Sequence, residues 1–99
     1  MAGHFIFMVL HYPTHEHRDD LARSMSEMGR FLRDKPGCIA VEPPYLTEDG
    51  GCVVGLSKWE SREAFDAVGI ELLPSEHVPE GEVRPRQRFL LHEVSGLSV

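Results

Sequence analysis

Two histidines, His11 and His92, fall inside predicted strands among apolar neighbours. A half-buried imidazole with a pKa near neutrality can remove the proton of a phenol or quinol. Both histidines are therefore candidate catalytic bases. The alternative is that each is a hydrogen-bonded histidine in an interface between two subunits.

The remaining motifs do not indicate a metal or a bound cofactor. His15 and His17 flank Glu16, but side chains two positions apart on a helix do not share a face. The sequence has no zinc-type spacing, no CxxC, no P-loop, no GxSxG and no GxGxxG motif. We therefore expect no metal site, no P-loop nucleotide site and no dinucleotide cofactor.

Three further side chains can contribute to a binding site. Trp59, the only tryptophan, either lines a pocket on which a flat aromatic substrate stacks or closes the core against Phe65. Tyr12 either bonds to a substrate oxygen or presents its hydroxyl at a strand end. Arg88 either offsets a developing oxyanion or pairs with a carboxylate across the sheet.

Strands and helices must bring these side chains together. Apolar alternation and turn signals predict strands over 4–12, 38–46, 52–59 and 86–94, and helices over 14–33 and 62–68. Thr14 and Ser61 are the expected N-caps. Pro43 and Pro44 cannot donate to a strand ladder, which predicts an edge or bulged strand. Residues 70–84, with two prolines and a glycine, are expected to form an irregular flap.

The order β-α-β-β-α-β predicts an α+β, ferredoxin-like subunit with a four-stranded antiparallel sheet and both helices on one face. The first strand is apolar on both faces, and one helical layer can cover only one of them. We therefore expect a homodimer that forms through the uncovered sheet face.

Length and composition set the broader class. The 99 residues suit a single domain over 1–99. A formal net charge of −6 argues against a nucleic-acid partner, and no apolar run is long enough for a membrane span. Cys38 and Cys52 are predicted at opposite ends of a hairpin, too far apart for a disulfide. We expect a cytoplasmic protein with reduced thiols.

The run Lys35-Pro36-Gly37-Cys38, followed by Trp59-Glu60-Ser61-Arg62-Glu63-Ala64-Phe65, resembles the antibiotic biosynthesis monooxygenase (ABM) domain. The resemblance extends roughly over residues 5–94. It implies a dimeric α/β barrel built from ferredoxin-like subunits. It also implies oxidation of polyketide-type phenols or quinols without metal or flavin, while a related branch degrades haem.

Several family positions differ in this chain. Family members use a pocket asparagine, and this chain contains none. The family often places a histidine after the phenylalanine of the second helix, where Ala67-Val68-Gly69 stands here, and His77 can replace it if the flap folds back. The haem-degrading branch uses a tryptophan in the second helix, where Phe65 is the only aromatic residue here, so haem degradation is the least expected activity.

The sequence thus predicts a cofactor-independent monooxygenase for a small aromatic, phenolic or quinol substrate. The alternative is a non-catalytic member of the same superfamily that binds a small hydrophobic ligand or serves as an accessory subunit. The candidate catalytic residues are His11, His92 and Trp59. The candidate substrate-binding residues are Trp59, Tyr12, Arg88, Phe65 and His77.

Overall fold

The strands and helices follow the predicted order. The computed structural model describes residues 3–97 and residue 99. Within these residues the elements are β1 (Phe5–His11), α1 (Arg18–Leu32), β2 (Cys38–Val41), β3 (Tyr45–Leu46), β4 (Val53–Trp59), α2 (Arg62–Asp66) and β5 (Gln87–His92).

The strands form one antiparallel sheet in the order β2-β4-β1-β5, and β3 also pairs with β4. This order and the two helices confirm the α+β, ferredoxin-like fold. The strand predicted over 38–46 is divided into β2 and β3 on either side of Pro43 and Pro44, because neither proline can donate to the ladder. The sheet therefore has a fifth, two-residue strand that the sequence did not predict.

The two faces of β1 have different surroundings. Phe5 and Phe7 contact Phe65 of α2, with ring centroids 5.3 and 4.8 Å apart, so this face lies under the helices. The opposite face, which we call the open face, is formed by Ile6, Met8, Leu10, Val54, Leu56, Phe89 and Leu91. Its apolar side chains are only partly covered within one chain, since Phe89 and Leu91 are 38% and 40% exposed.

The core lies under α2. Phe5, Leu32, Trp59 and Phe65 form one buried cluster, in which Phe5 and Trp59 are fully buried. The indole of Trp59 meets the ring of Phe65 edge-on, with centroids 5.7 Å apart. Aromatic pairs in this geometry add about 0.5–1.5 kcal/mol beyond the area that they bury.

The first helix begins later than predicted, at Arg18, and Thr14 is not its N-cap. The Thr14 amide donates to the carbonyl of Gly81 at 2.8 Å, and Pro13 forms a β-bridge with Glu82. These bonds hold Pro13 and Thr14 against the segment around Gly81, and residues 15–17 then form a turn before the helix. His17 stands at the N-cap position instead and makes no capping hydrogen bond with its side chain.

The second helix is capped as predicted but is shorter. Ser61 has extended backbone angles, and its Oγ accepts from the Ala64 amide at 3.1 Å. The helix ends at Asp66, and Gly69 follows in the left-handed region with φ +75°. Five residues do not form a stable helix alone, so α2 depends on the burial of Phe65.

Candidate functional site

A cavity of about 280 Å³ lies between the helix-covered face of the sheet, α1 and the irregular segment after α2. Most of the side chains around it are apolar, which suits an aromatic ligand. The apolar side chains that line it include Phe7, Val9, Leu21, Met25, Met28, Leu32, Val41, Ile70, Leu72 and Leu73. The polar side chains that line it are His11, Ser24, Glu42, Ser57, Glu71, His77, Arg86 and Arg88.

The segment predicted as an irregular flap is one wall of this cavity. Its carboxyl end is fixed to the strand β1 and the loop after it: Thr14 donates to Gly81 and Val83 donates to Tyr12, each at 2.8 Å. Gly81 has φ +83°, and a Cβ at this position would lie 2.5 Å from the ring of His17. Only glycine suits both the backbone angle and the space, so this anchor requires Gly81.

His11 lies beside a buried ion pair at one end of the cavity. Glu82 has a fully buried side chain, and its Oε2 accepts from Arg86 at 2.6 and 2.8 Å. Its Oε1 accepts from the Tyr12 amide at 3.2 Å and lies 3.8 Å from Nδ1 of His11. That distance is too long for a hydrogen bond, so Glu82 acts on His11 through its charge.

Burial and the nearby Arg86 cation lower the pKa of His11 to about 4, although Glu82 acts in the opposite direction. The sequence predicted a pKa near neutrality for this histidine, and that prediction is wrong. Desolvation penalises the imidazolium more than the Glu82 carboxylate stabilises it. His11 is therefore neutral at physiological pH and has an unprotonated ring nitrogen.

This shift has a consequence for acid stability. Because the pKa of His11 is about 4 in the folded chain and 6.5 ordinarily, protonation favours the unfolded state. The free energy of unfolding should therefore fall as pH drops from about 6.5 towards 4, by about 2 kcal/mol down to roughly pH 5. His11→Gln should lack this loss, as measured by urea denaturation across this pH range.

The control for this pH experiment is His15→Gln, because His15 is exposed. It should keep the pH dependence of the unmodified protein. An equal slope in the His11 and His15 variants would contradict the assignment of the acid-labile stability to His11.

Trp59 and Phe65 lie in the core beneath the cavity and not in its lining. Both rings are buried. Of the two roles considered for Trp59, its position therefore fits packing in the core and not stacking on a substrate. The indole Nε1 of Trp59 donates to Oγ of Ser57 at 2.9 Å. Trp59 is thus one hydrogen bond away from a residue that does line the cavity.

His92 and Tyr12 also lie outside the lining. His92 pairs with Phe5, at the opposite end of β1 from His11, which separates the two histidines by roughly 20 Å. The Tyr12 hydroxyl donates to Oε1 of Gln87, and the guanidinium of Arg84 lies 4.3 Å from the centre of its ring. Of the predicted site residues, the cavity brings together His11, His77 and Arg88.

Ser57, Glu82 and Arg86 were not identified from the sequence as site residues. The sequence gives a weak indication for Ser57, because it lies two positions before Trp59 and therefore on the same face of the predicted strand. Glu82 and Arg86 have none, since their approach to His11 depends on how the irregular segment returns to β1.

Among the described residues, neither helix is long and apolar enough to cross a membrane.

A comparison with curated proteins finds no match. Several solved structures share the fold, among them the following three. Rv0793 from Mycobacterium tuberculosis is 21% identical with a TM-score of 0.74, covering 96% of this chain and 99% of that chain. A putative antibiotic biosynthesis monooxygenase from Nitrosomonas europaea is 10% identical with a TM-score of 0.71, covering 99% and 97%.

The third structure is a monooxygenase from the gene ActVA-Orf6 of Streptomyces coelicolor in complex with the ligand Nanaomycin D. It is 20% identical with a TM-score of 0.66, covering 99% of this chain and 93% of that chain. A family model described as antibiotic biosynthesis monooxygenase matches residues 5–68, well over half of the chain. The sequence resemblance is thereby confirmed, and this chain belongs to the antibiotic biosynthesis monooxygenase family.

Proposed function

We propose that this protein is a cofactor-independent monooxygenase that oxidises a small aromatic phenol or quinol. The observation that carries the proposal is an apolar cavity with the neutral imidazole of His11 in its lining. Family membership supports the reaction type. The Streptomyces structure with its bound Nanaomycin D supports a small-molecule ligand in this fold.

His11 is the base in this proposal. It removes a proton from the substrate, and the resulting anion raises the pKa of the imidazolium beside it. The anion passes one electron to dioxygen, and the radical pair combines to a peroxide at carbon. The peroxide loses water with the help of the His11 proton, so that a CH₂ group and O₂ become C=O and H₂O. Arg88 offsets the negative charge of the anion.

The test is oxygen consumption by the purified protein with a panel of quinols and anthrone-like phenols. His11→Phe should lower the rate about 100-fold, because positioned bases contribute factors of this size. His15→Gln, with its exposed side chain outside the lining, should retain the rate. If no compound reacts faster with the unmodified protein than with His11→Phe, the oxygenase proposal fails.

A second candidate is a non-catalytic protein that binds a small hydrophobic ligand or serves as an accessory subunit. The observation in its favour is the pKa of about 4 at His11, which makes the free imidazole a weak base. Tight binding of the same compounds without oxygen consumption would favour this candidate.

A homodimer through the open face is part of the proposal. Covering the apolar side chains of this face removes them from water, which stabilises the dimer by about 25 cal/mol for each Å² buried. A second copy of the same face is complementary by symmetry.

Cytoplasmic location also belongs to the proposal and is supported by the free thiols of Cys38 and Cys52.

Sedimentation at micromolar concentration should give twice the 11.2 kDa chain mass. Phe89→Glu should shift the mass to that of one chain, because it places a charge in the proposed interface. Phe31→Glu is the matched control, since Phe31 is 53% exposed and lies on α1, away from the open face. Loss of the dimer in both variants, or a single-chain mass for the unmodified protein, would contradict the proposed interface.

A further inference from the structure

Ser57 combines burial, a fixed hydrogen bond and a position in the cavity lining. It lies in β4 opposite Phe7 of β1, on the helix-covered face, and is 6% exposed. Its Oγ accepts the indole N–H of Trp59 at 2.9 Å. The residue is thus a buried hydroxyl in a wall that is otherwise mostly apolar.

The Ser57 hydroxyl has more hydrogen-bonding sites than its bond to Trp59 uses. A serine hydroxyl has one donor and two acceptor sites, whereas the indole N–H can only donate. Trp59 therefore occupies an acceptor site and leaves the Ser57 O–H free to donate. Among the residues that the structure describes, this O–H has no recorded acceptor. A buried donor without an acceptor costs free energy, so a ligand that supplies an acceptor is favoured here.

Trp59 also fixes the direction of that donor. Its ring is fully buried and packed edge-on against Phe65, so the indole N–H has one position. The Ser57 hydroxyl that accepts from it is restrained in turn. A donor that is already oriented loses less entropy when it binds an acceptor.

We propose that Ser57 is a specificity-determining residue that donates a hydrogen bond to a carbonyl or phenolate oxygen of the ligand. Trp59 is the positioning residue that orients the Ser57 hydroxyl. The inference rests on the proposed function insofar as it requires an aromatic ligand in this cavity. It adds that Ser57 binds an oxygen of that ligand and selects for it.

The register of β1 and β4 sets the orientation of such a ligand. Ser57 lies opposite Phe7, four residues along β1 from His11, a separation of roughly 13 Å along the strand. Gly55 lies between them, and any Cβ there would come within 3.0 Å of Met25 and 3.1 Å of Val9. Met25 and Val9 therefore pack over Gly55, and a ligand that spans the cavity lies against these two side chains. The ligand oxygen then lies at the Ser57 end and the ionisable group faces His11.

The experiment compares two probes that differ in one oxygen, 1-tetralone and tetralin. The chain has a single tryptophan, so one indole N–H resonance reports on the Trp59–Ser57 bond. The unmodified protein should bind 1-tetralone about 5-fold more tightly than tetralin. Because linked hydrogen bonds strengthen one another, 1-tetralone should also shift the indole resonance downfield more than tetralin does.

Three variants separate a role in ligand selection from a role in folding. Ser57→Ala should bind both probes equally, with the affinity for tetralin unchanged. Ser57→Thr keeps a hydroxyl and should retain the preference for 1-tetralone. Trp59→Phe should reduce the preference without removing it, because the hydroxyl remains but is no longer oriented. If Ser57→Ala proves too unstable to assay, the threonine variant and the indole shift still test the proposal.

The inference is overturned if the unmodified protein shows no preference between the probes, including binding of neither up to their solubility limits. It is also overturned if Ser57→Ala keeps the full preference. A different result would show that only the oxygenase proposal fails. In that case the protein binds 1-tetralone selectively but consumes no oxygen with any phenol or quinol.

Discussion

Replacing Trp59 with alanine is expected to lower the free energy of unfolding by about 3–5 kcal/mol, the range for truncating a large buried aromatic side chain. The indole is fully buried among Phe5, Leu32 and Phe65. Its removal leaves a void under α2, a helix of five residues that cannot persist without its packing. The loss would be a large part of the 5–15 kcal/mol that stabilises a typical domain.

Urea denaturation followed by circular dichroism at a fixed protein concentration measures this loss, since the variant has no tryptophan fluorescence. Phe31→Ala is the matched control, because Phe31 is a large but 53% exposed aromatic residue. Its cation–π contact with Lys35, at 4.0 Å, is worth about 0.5–1 kcal/mol, so its loss should not exceed about 1 kcal/mol. Similar losses for both variants would contradict the central position of Trp59 in the core.

The sequence predicted the fold well because the signals that define it are local. Ser61 caps α2 through an amide three residues away, and the prolines after β2 interrupt the strand at their own positions. The start of α1 was predicted wrongly for the opposite reason. Thr14 has the side chain of an N-cap, but its amide bonds to Gly81, and nothing near Thr14 in the sequence indicates that partner.

The site was harder to predict because burial, and not residue type, decides its chemistry. The sequence identifies His11 as an imidazole in an apolar strand, and the structure places it in the cavity lining. Its low pKa depends first on burial and then on Arg86, about 75 residues further along the chain, while Glu82 acts in the opposite direction. His92 has a similar apolar setting in the sequence, yet the register of β1 and β5 places it at the other end of the sheet.

The second large effect is expected at the Glu82–Arg86 pair. Arg86→Met should lower the free energy of unfolding by about 3–5 kcal/mol, because it leaves the fully buried Glu82 carboxylate without its cation. Glu82→Gln should cost less, about 2 kcal/mol. In that variant the remaining guanidinium is 32% exposed and reaches water, and the glutamine oxygen can still accept from the Tyr12 amide.

The double variant tests whether the two charges act as a pair. Residues in direct contact have coupling energies of about 0.5–3 kcal/mol. The combined variant should therefore lose less stability than the sum of the two single losses, by at least 1 kcal/mol on this scale. Strict additivity in urea denaturation would contradict a direct interaction between Glu82 and Arg86.

The same variants should move the pKa of His11 in opposite directions. Arg86 lowers this pKa and Glu82 raises it, so Arg86→Met should raise it above its value of about 4, and Glu82→Gln should lower it further. NMR titration of the His11 ring measures both shifts. In the proposed reaction, Arg86→Met would give a stronger base in a less stable protein. The buried pair would then stabilise the cavity wall, while burial and Arg86 keep His11 neutral until a substrate anion forms beside it.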